Sequence, residues 1–140
     1  MKKLQVVLIC LGIFFATFTQ AQKVQFKQVD QDKKVEVFID NKLFTAFIYP
    51  DNMEKQSLYP IIASSGKIIT RGYPLQPRPF ERTDHPHHVG MWLNYEDVNG
   101  FDYWNNSTNI IASLQNHKMG TIVHTSIVKQ EAKSGTLVVS

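Results

Sequence analysis

The sequence predicts an all-β protein, an antiparallel β-sandwich that spans residues 22–140. Runs of β-branched and aromatic residues recur along this segment, and clusters of Gly, Asn, Asp and Ser separate them at short intervals. Apolar residues at the spacing of an amphipathic helix are scarce. Short strands with turn signals at such intervals usually close into a sandwich or a barrel.

Residues 1–21 are predicted to be a secretory signal peptide. A basic start, Lys2-Lys3, precedes an apolar run from Leu4 to Phe18, and small residues end at Ala21, so cleavage is expected before Gln22. A membrane anchor is the alternative, but this run is shorter than the ~20 residues that a spanning helix needs. The protein is therefore expected in the periplasm or outside the cell, with no stable membrane insertion after cleavage.

Signal cleavage changes the charge balance of the mature chain. Of the 15 basic residues, Lys2 and Lys3 lie in the signal, which leaves 13 against 12 acidic residues. A nearly neutral chain without a basic stripe lacks the electrostatic footprint of a nucleic-acid-binding protein. Cleavage also removes Cys10, the only cysteine, so we expect one domain that is held by its core rather than by disulfides.

The predicted strands follow in order along the mature chain. Residues 35–39 and 43–49 flank Asp40-Asn41-Lys42, whose composition is typical of a tight hairpin turn. Residues 59–63 and 67–71 flank Ser64-Ser65-Gly66 in the same way. Three further strands are predicted at residues 88–95, 121–129 and 136–139.

Two segments interrupt this series of strands. Residues 72–81 contain Pro74, Pro77 and Pro79, which lack amide donors, so an extended loop is expected. Residues 97–113 combine glycine, consecutive asparagines and aromatics, and are expected to cross the sheet. Loops set on a rigid sheet often carry binding and catalytic groups, and these two flank a histidine-rich segment.

The strand predicted at residues 136–139 has no evident partner before the sequence stops at Ser140. An unpaired apolar strand would be an exposed edge that is prone to association. We therefore expect this domain to be the N-terminal part of a larger sandwich, truncated at its C-terminal end, with the missing portion of the same protein as its partner.

Three of the five histidines fall within four positions, at His85, His87 and His88. Imidazole changes charge closest to neutral pH and is the commonest metal ligand, so the cluster predicts proton transfer or metal binding. Pro86 favours extended geometry at His85, in which His85 and His87 would face one side and His88 the other. Capping of loop backbone groups is the structural alternative.

His85 and His87 are the candidate ligands of a divalent metal, Zn²⁺ or Fe²⁺, the one cofactor that the sequence suggests. Such a site needs at least one further ligand. Several side chains have suitable chemistry, and spacing does not choose among them: Asp84, Glu96, Asp102, His117 and His124.

An aromatic cluster with interleaved amides and carboxylates lies directly downstream. A sugar ring offers a C–H face for stacking and hydroxyls for hydrogen bonds, so this composition suits a carbohydrate ligand. The candidate substrate-binding residues are Arg82, Trp92, Tyr103 and Trp104. A purely structural role for the rings, above all for Trp92, is the alternative.

Residues 82–92 (Arg-Thr-Asp-His-Pro-His-His-Val-Gly-Met-Trp) and 97–104 (Asp-Val-Asn-Gly-Phe-Asp-Tyr-Trp) resemble the signature of the PmoA-like family, secreted bacterial proteins of largely unknown function. The resemblance spans roughly residues 44–124 and implies a longer β-sandwich protein associated with carbohydrate use. It marks five residues as motif members without roles: His85, His87, His88, Asp102 and Trp104.

The family's label, methane oxygenase, implies a membrane enzyme, but the mature sequence lacks the apolar runs that membrane-spanning helices require.

The sequence leaves three hypotheses about function. The favoured one is a carbohydrate-processing hydrolase, lyase or epimerase that uses the histidines as acid or base with Asp102 or Glu96 as partner. The others are a metal-dependent enzyme that activates water or oxygen, and a non-catalytic glycan-binding or structural domain. The candidate catalytic residues are His85, His87, His88 and Asp102.

Overall fold

A computed structural model describes residues 21–140 of the protein, so the predicted signal peptide lies outside the described residues except for Ala21. The regular structure is β-strand, apart from two short 3-10 helices at Asp30–Asp32 and Ala112–Leu114. All the strand pairs in this part of the chain are antiparallel. The prediction of an all-β fold with antiparallel sheets is confirmed. Within residues 21–140 no helix has the length and apolarity to cross a membrane.

The main sheet has four strands in chain order: β1 (Val24–Val29), β2 (Lys34–Ile39), β3 (Lys42–Ile48) and β4 (Ser57–Leu58). The predicted hairpin is confirmed as β2 and β3. Asp40 and Asn41 form its turn with φ of 50° and 62°. Two-residue hairpin turns of this kind need positive φ at both positions, which Asp and Asn tolerate better than other non-glycine residues.

The core lies against β3. Thr45, Ala46 and Phe47 are consecutive and all buried. Since successive side chains on a strand point to opposite faces, both faces of β3 are covered here. Val35 on β2 is fully buried, and Val89 contributes to the core from the histidine-rich segment. Val89 therefore anchors this segment to the core.

Two small hairpins complete the described structure: β5 (Asp97–Val98) with β6 (Phe101–Asp102), and β7 (Ile127–Glu131) with β8 (Thr136–Val139). The prediction that residues 136–139 lack a strand partner is wrong, because β8 pairs with β7 from Ile127↔Val139 to Glu131↔Thr136. The expectation that the domain is part of a larger sandwich stays a prediction.

Three predicted strands are shorter than expected or absent. Residues 59–63 and 67–71 approach each other, but only Ile62 and Ile68 form a bridge. The amide of Ile61 donates to the Thr70 hydroxyl instead of a backbone carbonyl, which interrupts the ladder. Of residues 121–129, only those from position 127 onward are in a strand.

Residues 88–95 also form no strand, apart from a bridge between Met91 and Leu58 of β4. Gly90 interrupts the extended backbone with φ +59°. A side chain there would lie 2.7 Å from Ser57 Oγ and closer still to the Leu58 carbonyl. Gly90 therefore permits a close backbone contact that holds the histidine-rich segment against β4.

Candidate active site around the histidine loop

Residues 82–91, here called the histidine loop, carry the three clustered histidines on a tight turn. The amide of His88 donates to the His85 carbonyl at 3.0 Å, and His85 has φ +51°. The prediction of an extended segment with His88 on the opposite side is therefore wrong. The turn brings all three imidazoles together, with ring centroids 5.6 Å apart for His85–His87, 5.0 Å for His85–His88 and 4.4 Å for His87–His88.

Arg71 holds this turn in place. Its guanidinium donates to four backbone carbonyls of the loop: Arg82 at 3.3 Å, Asp84 at 2.8 Å, His85 at 2.8 Å and His88 at 3.2 Å. A planar guanidinium with five N–H donors suits such a set of acceptors. Positive φ costs free energy at a non-glycine residue such as His85. It persists there because the hydrogen bonds from Arg71 hold the surrounding backbone.

His85 is an exposed histidine with a carboxylate partner. Its side chain is 55% exposed, and Nδ1 lies 3.0 Å from Asp84 Oδ2. Partial desolvation acts to raise the pKa of Asp84, but the hydrogen bond with His85 and the charges of Arg82 and Arg71 outweigh it and hold that pKa below its usual value. Asp84 therefore accepts the Nδ1 proton of His85, which leaves Nε2 free to exchange a proton with a ligand.

His88 stacks on His85 with an angle of 19° between the rings. It is half-buried, and burial lowers its pKa below the ordinary histidine value, as do the positive charges of His85, Arg71 and Lys55. A neutral imidazole therefore stands beside the Asp84–His85 pair. Both rings line an open cleft of about 380 Å³, the histidine cleft, whose other lining residues are Arg71, Glu81, Arg82 and Asp84.

His87 faces a different cavity. Its residue surface is 5% exposed, and burial, followed by the charges of His88 and Lys55, lowers its pKa to about 4. It lines a space of about 210 Å³, here called the lysine cavity, together with Lys55. The lysine cavity shares no lining residue with the histidine cleft. The histidine loop thus separates two sites, and His87 belongs to the buried one.

Lys55 is a buried residue that the sequence did not indicate. It is 4% exposed, and Nζ donates to the carbonyls of Tyr103 at 3.1 Å and Trp104 at 2.5 Å. The ammonium lies 5.6 Å from the Trp92 ring centroid. Burial lowers the pKa of Lys55 to about 8. A single lysine in an irregular segment carries no local sequence signal, because the carbonyls that bind it lie almost fifty residues further along the chain.

The candidate substrate-binding aromatics divide into two groups. Trp92 and Trp104 pack on each other at 5.5 Å, and both contact His88, at 5.4 and 6.2 Å. Trp104 remains 38% exposed, whereas Trp92 is half-buried. The ring of Tyr103 lies against Gly120, where a Cβ atom would overlap it. Trp104 is therefore the aromatic residue of this group that a ligand at the loop can reach.

Asp102 has its hydrogen-bond and ion-pair partners outside the histidine loop. Its buried carboxylate accepts hydrogen bonds from the amide of Asn105 at 2.9 Å and from its side chain at 2.7 Å, and it lies 3.6 Å from His117 Nδ1. Burial acts to raise the pKa of Asp102, but the contacts with Asn105 and His117 lower it below its usual value. The structure thus pairs Asp102 with His117, while Asp84 contacts the clustered histidines. Glu96, Asp102 and His117 line a separate open cavity, which shares no lining residue with the histidine cleft.

The histidine loop does not show the geometry of a metal site. Within residues 21–140, no group of three or more His, Cys, Asp or Glu side chains is placed to hold a metal ion. The three imidazoles pack against each other, stacked for His85 and His88 and edge to face for the other two pairs. His124, another candidate ligand, packs against Tyr49 with ring centroids 4.1 Å apart and tilted rings. The prediction that His85 and His87 bind zinc or iron gains no support from this arrangement.

Comparison with protein families gives one match. The model of a family of unknown function, DUF6807, matches residues 34–140, which is more than half of the chain. The chain belongs to the DUF6807 family. Comparison with curated proteins and with solved structures found no match. The resemblance to the PmoA-like family stays a prediction.

The DUF6807 match includes the whole histidine loop and the residues that position it, from Lys55 to Trp104.

Arg71 offers a direct test of how that loop is held. Arg71→Lys keeps the charge but loses the planar fork, so we expect chemical denaturation to show a loss of about 1–3 kcal/mol. Arg82→Lys is the matched control, because the Arg82 side chain is 84% exposed, and its effect should stay within about 0.5 kcal/mol. Equal stabilities of the two variants would contradict this role of Arg71.

Proposed function

We propose that this DUF6807 protein is an exported carbohydrate-processing enzyme of hydrolase, lyase or epimerase type, in which His85 and His88 transfer protons at the histidine cleft. One observation carries the proposal: the exposed His85 is oriented by Asp84 at 3.0 Å and lies directly beside the neutral His88. Export rests on the predicted signal peptide.

Two imidazoles in one cleft give a proton acceptor and a proton donor. The neutral His88 removes a proton from water or from a sugar carbon, and becomes an imidazolium. His85 acts in its imidazolium form: it delivers the Nε2 proton to the leaving or rearranging oxygen and becomes neutral, while its Nδ1–H stays hydrogen-bonded to the Asp84 carboxylate. Proton transfer by positioned side chains contributes about 10²–10⁴-fold to the rate of such reactions.

The surroundings of the cleft suit a sugar. Trp104 offers an exposed aromatic surface 6.2 Å from His88, and sugar C–H faces stack on such rings. The Arg82 side chain is largely exposed and holds Asp84 at 2.7 Å, so its remaining N–H groups can donate to hydroxyls or to an acidic substituent. These contacts support a carbohydrate ligand and leave its identity to experiment.

A panel of neutral and acidic oligosaccharides tests this proposal. New reducing ends without an unsaturated sugar indicate a hydrolase, new reducing ends with an unsaturated sugar indicate a lyase, and an inverted stereocentre indicates an epimerase. We expect one of these products from the wild-type protein and its loss in His85→Gln. A sugar that binds at the loop but is never converted would instead favour a non-catalytic glycan-binding domain.

A further inference from the structure

The lysine cavity contains a buried positive charge that forms no ion pair within residues 21–140. Lys55 is 4% exposed, and its two hydrogen-bond acceptors are neutral backbone carbonyls. No aspartate or glutamate of residues 21–140 forms an ion pair with it, and Asp102 and Glu54 act on it only from a greater distance. Buried charges in proteins are normally paired, and among the described residues only two oxygens accept hydrogen bonds from the three ammonium protons of Lys55.

His87 and Ser107 add unsatisfied polar groups to the same cavity. His87 is 5% exposed, and neither ring nitrogen has a hydrogen-bond partner among the described residues. Ser107 Oγ is buried and also lacks a partner within residues 21–140. Buried polar groups are hydrogen-bonded in the large majority of cases, so the buried Ser107 hydroxyl beside the Lys55 ammonium requires an explanation.

We infer that the lysine cavity is a second binding site that takes the carboxylate group of a small ligand between Lys55 and His87. One carboxylate oxygen accepts the third proton of Lys55, and the other accepts from His87 or Ser107. The carboxylate also forms the direct ion pair that Lys55 otherwise lacks. The inference does not rest on the proposed function, because the two sites share no lining residue.

The lining of the cavity favours a carboxylate over a phosphate or a sulfate. Glu54 also lines it and repels negative charge, so a ligand with one negative charge is favoured over a ligand with two. Two donors match the two oxygens of a carboxylate. The volume of about 210 Å³ admits a small organic acid and is well below that of the histidine cleft.

Acetate is a suitable probe. We expect the imidazole NMR signals of His87 in the full-length protein to shift saturably with sodium acetate at pH 7, while those of the exposed His117 do not. Sodium chloride at equal ionic strength should leave His87 unchanged. Lys55→Met should weaken acetate binding on the order of tenfold or more. Lys118→Met, which alters an exposed lysine outside the cavity, should bind acetate as the wild type does.

Three results would overturn the inference. The first is an equal response of His87 to chloride and acetate. The second is unchanged acetate binding in Lys55→Met. The third is tighter binding of phosphate than of acetate, which would assign the cavity to another anion. If Lys55→Met does not fold, His87→Gln takes its place. Thermal shifts in acetate should then show the same tenfold loss of acetate affinity. The wild-type titration of His87 with acetate and chloride tests the inference independently of both variants.

Discussion

His85→Gln should lower kcat on the converted glycan by about 10²–10⁴-fold, because it removes the imidazole that exchanges the proton at Nε2. Steady-state kinetics give the loss. Asp84→Asn should lower kcat as well, since an amide no longer fixes the tautomer of His85. The His85 side chain is 55% exposed, so thermal denaturation should show a change in stability within about 0.5 kcal/mol.

His117→Gln is the matched control for His85→Gln. His117 is also about half exposed and also has an aspartate partner, Asp102, but it lies outside the histidine loop. Its replacement should leave kcat within a few-fold of the wild type. A comparable loss of activity in both variants would show that the Asp84–His85 pair has no particular role in catalysis. Unfolding of His85→Gln would mean that the loop is structural.

Gly90→Ala should destabilise the protein by about 4 kcal/mol or more, which is exceptional for one methyl group. The new Cβ would lie 2.7 Å from Ser57 Oγ and closer to the Leu58 carbonyl, on a backbone with φ +59°. Leu58 cannot yield easily, because its amide and carbonyl are both bonded to Met91, at 2.8 and 3.0 Å. Urea denaturation measures the effect.

Gly66→Ala separates the steric clash from the backbone strain. Gly66 also has positive φ, +83°, but a Cβ there would meet nothing within 4 Å. Its replacement should cost only the strain of a left-handed non-glycine residue, about 1–2 kcal/mol. Equal losses in Gly66→Ala and Gly90→Ala would refute the close contact between the histidine loop and β4.

Local chemistry made part of this fold predictable. The β2–β3 hairpin follows from Asp40 and Asn41, whose side chains tolerate positive φ, between two runs of strand-forming residues. The strand expected at residues 88–95 fails for the opposite reason. Its composition favours extension, but Gly90 adopts positive φ to let the chain approach β4, and that approach is a tertiary contact.

The candidate site was predictable in position but not in geometry. The clustering of His85, His87 and His88 is visible in the sequence, yet their turn depends on Arg71, which lies 11 to 17 residues from its four carbonyl acceptors. Lys55 depends on carbonyls 48 and 49 residues away. Such long-range contacts produce no local pattern in the sequence. A prediction from local composition could therefore not include them.

The pH dependence of kcat/KM on the converted glycan tests the central claim most directly, because it reports the protonation of the free enzyme. His88 must be neutral to accept a proton, so kcat/KM should rise with pH through the pKa of His88. Burial, together with the positive charges of His85, Arg71 and Lys55, outweighs the opposing charge of Asp84 and places that midpoint below 6.5.

His88→Asn should remove this acidic limb. The remaining kcat/KM should be low and should no longer rise with pH over this range. A wild-type profile with its limb below pH 6.5 that disappears in His88→Asn is the result expected of proton transfer in the histidine cleft. A limb that persists unchanged in His88→Asn, or a wild-type rate that is flat across the histidine range, would contradict it.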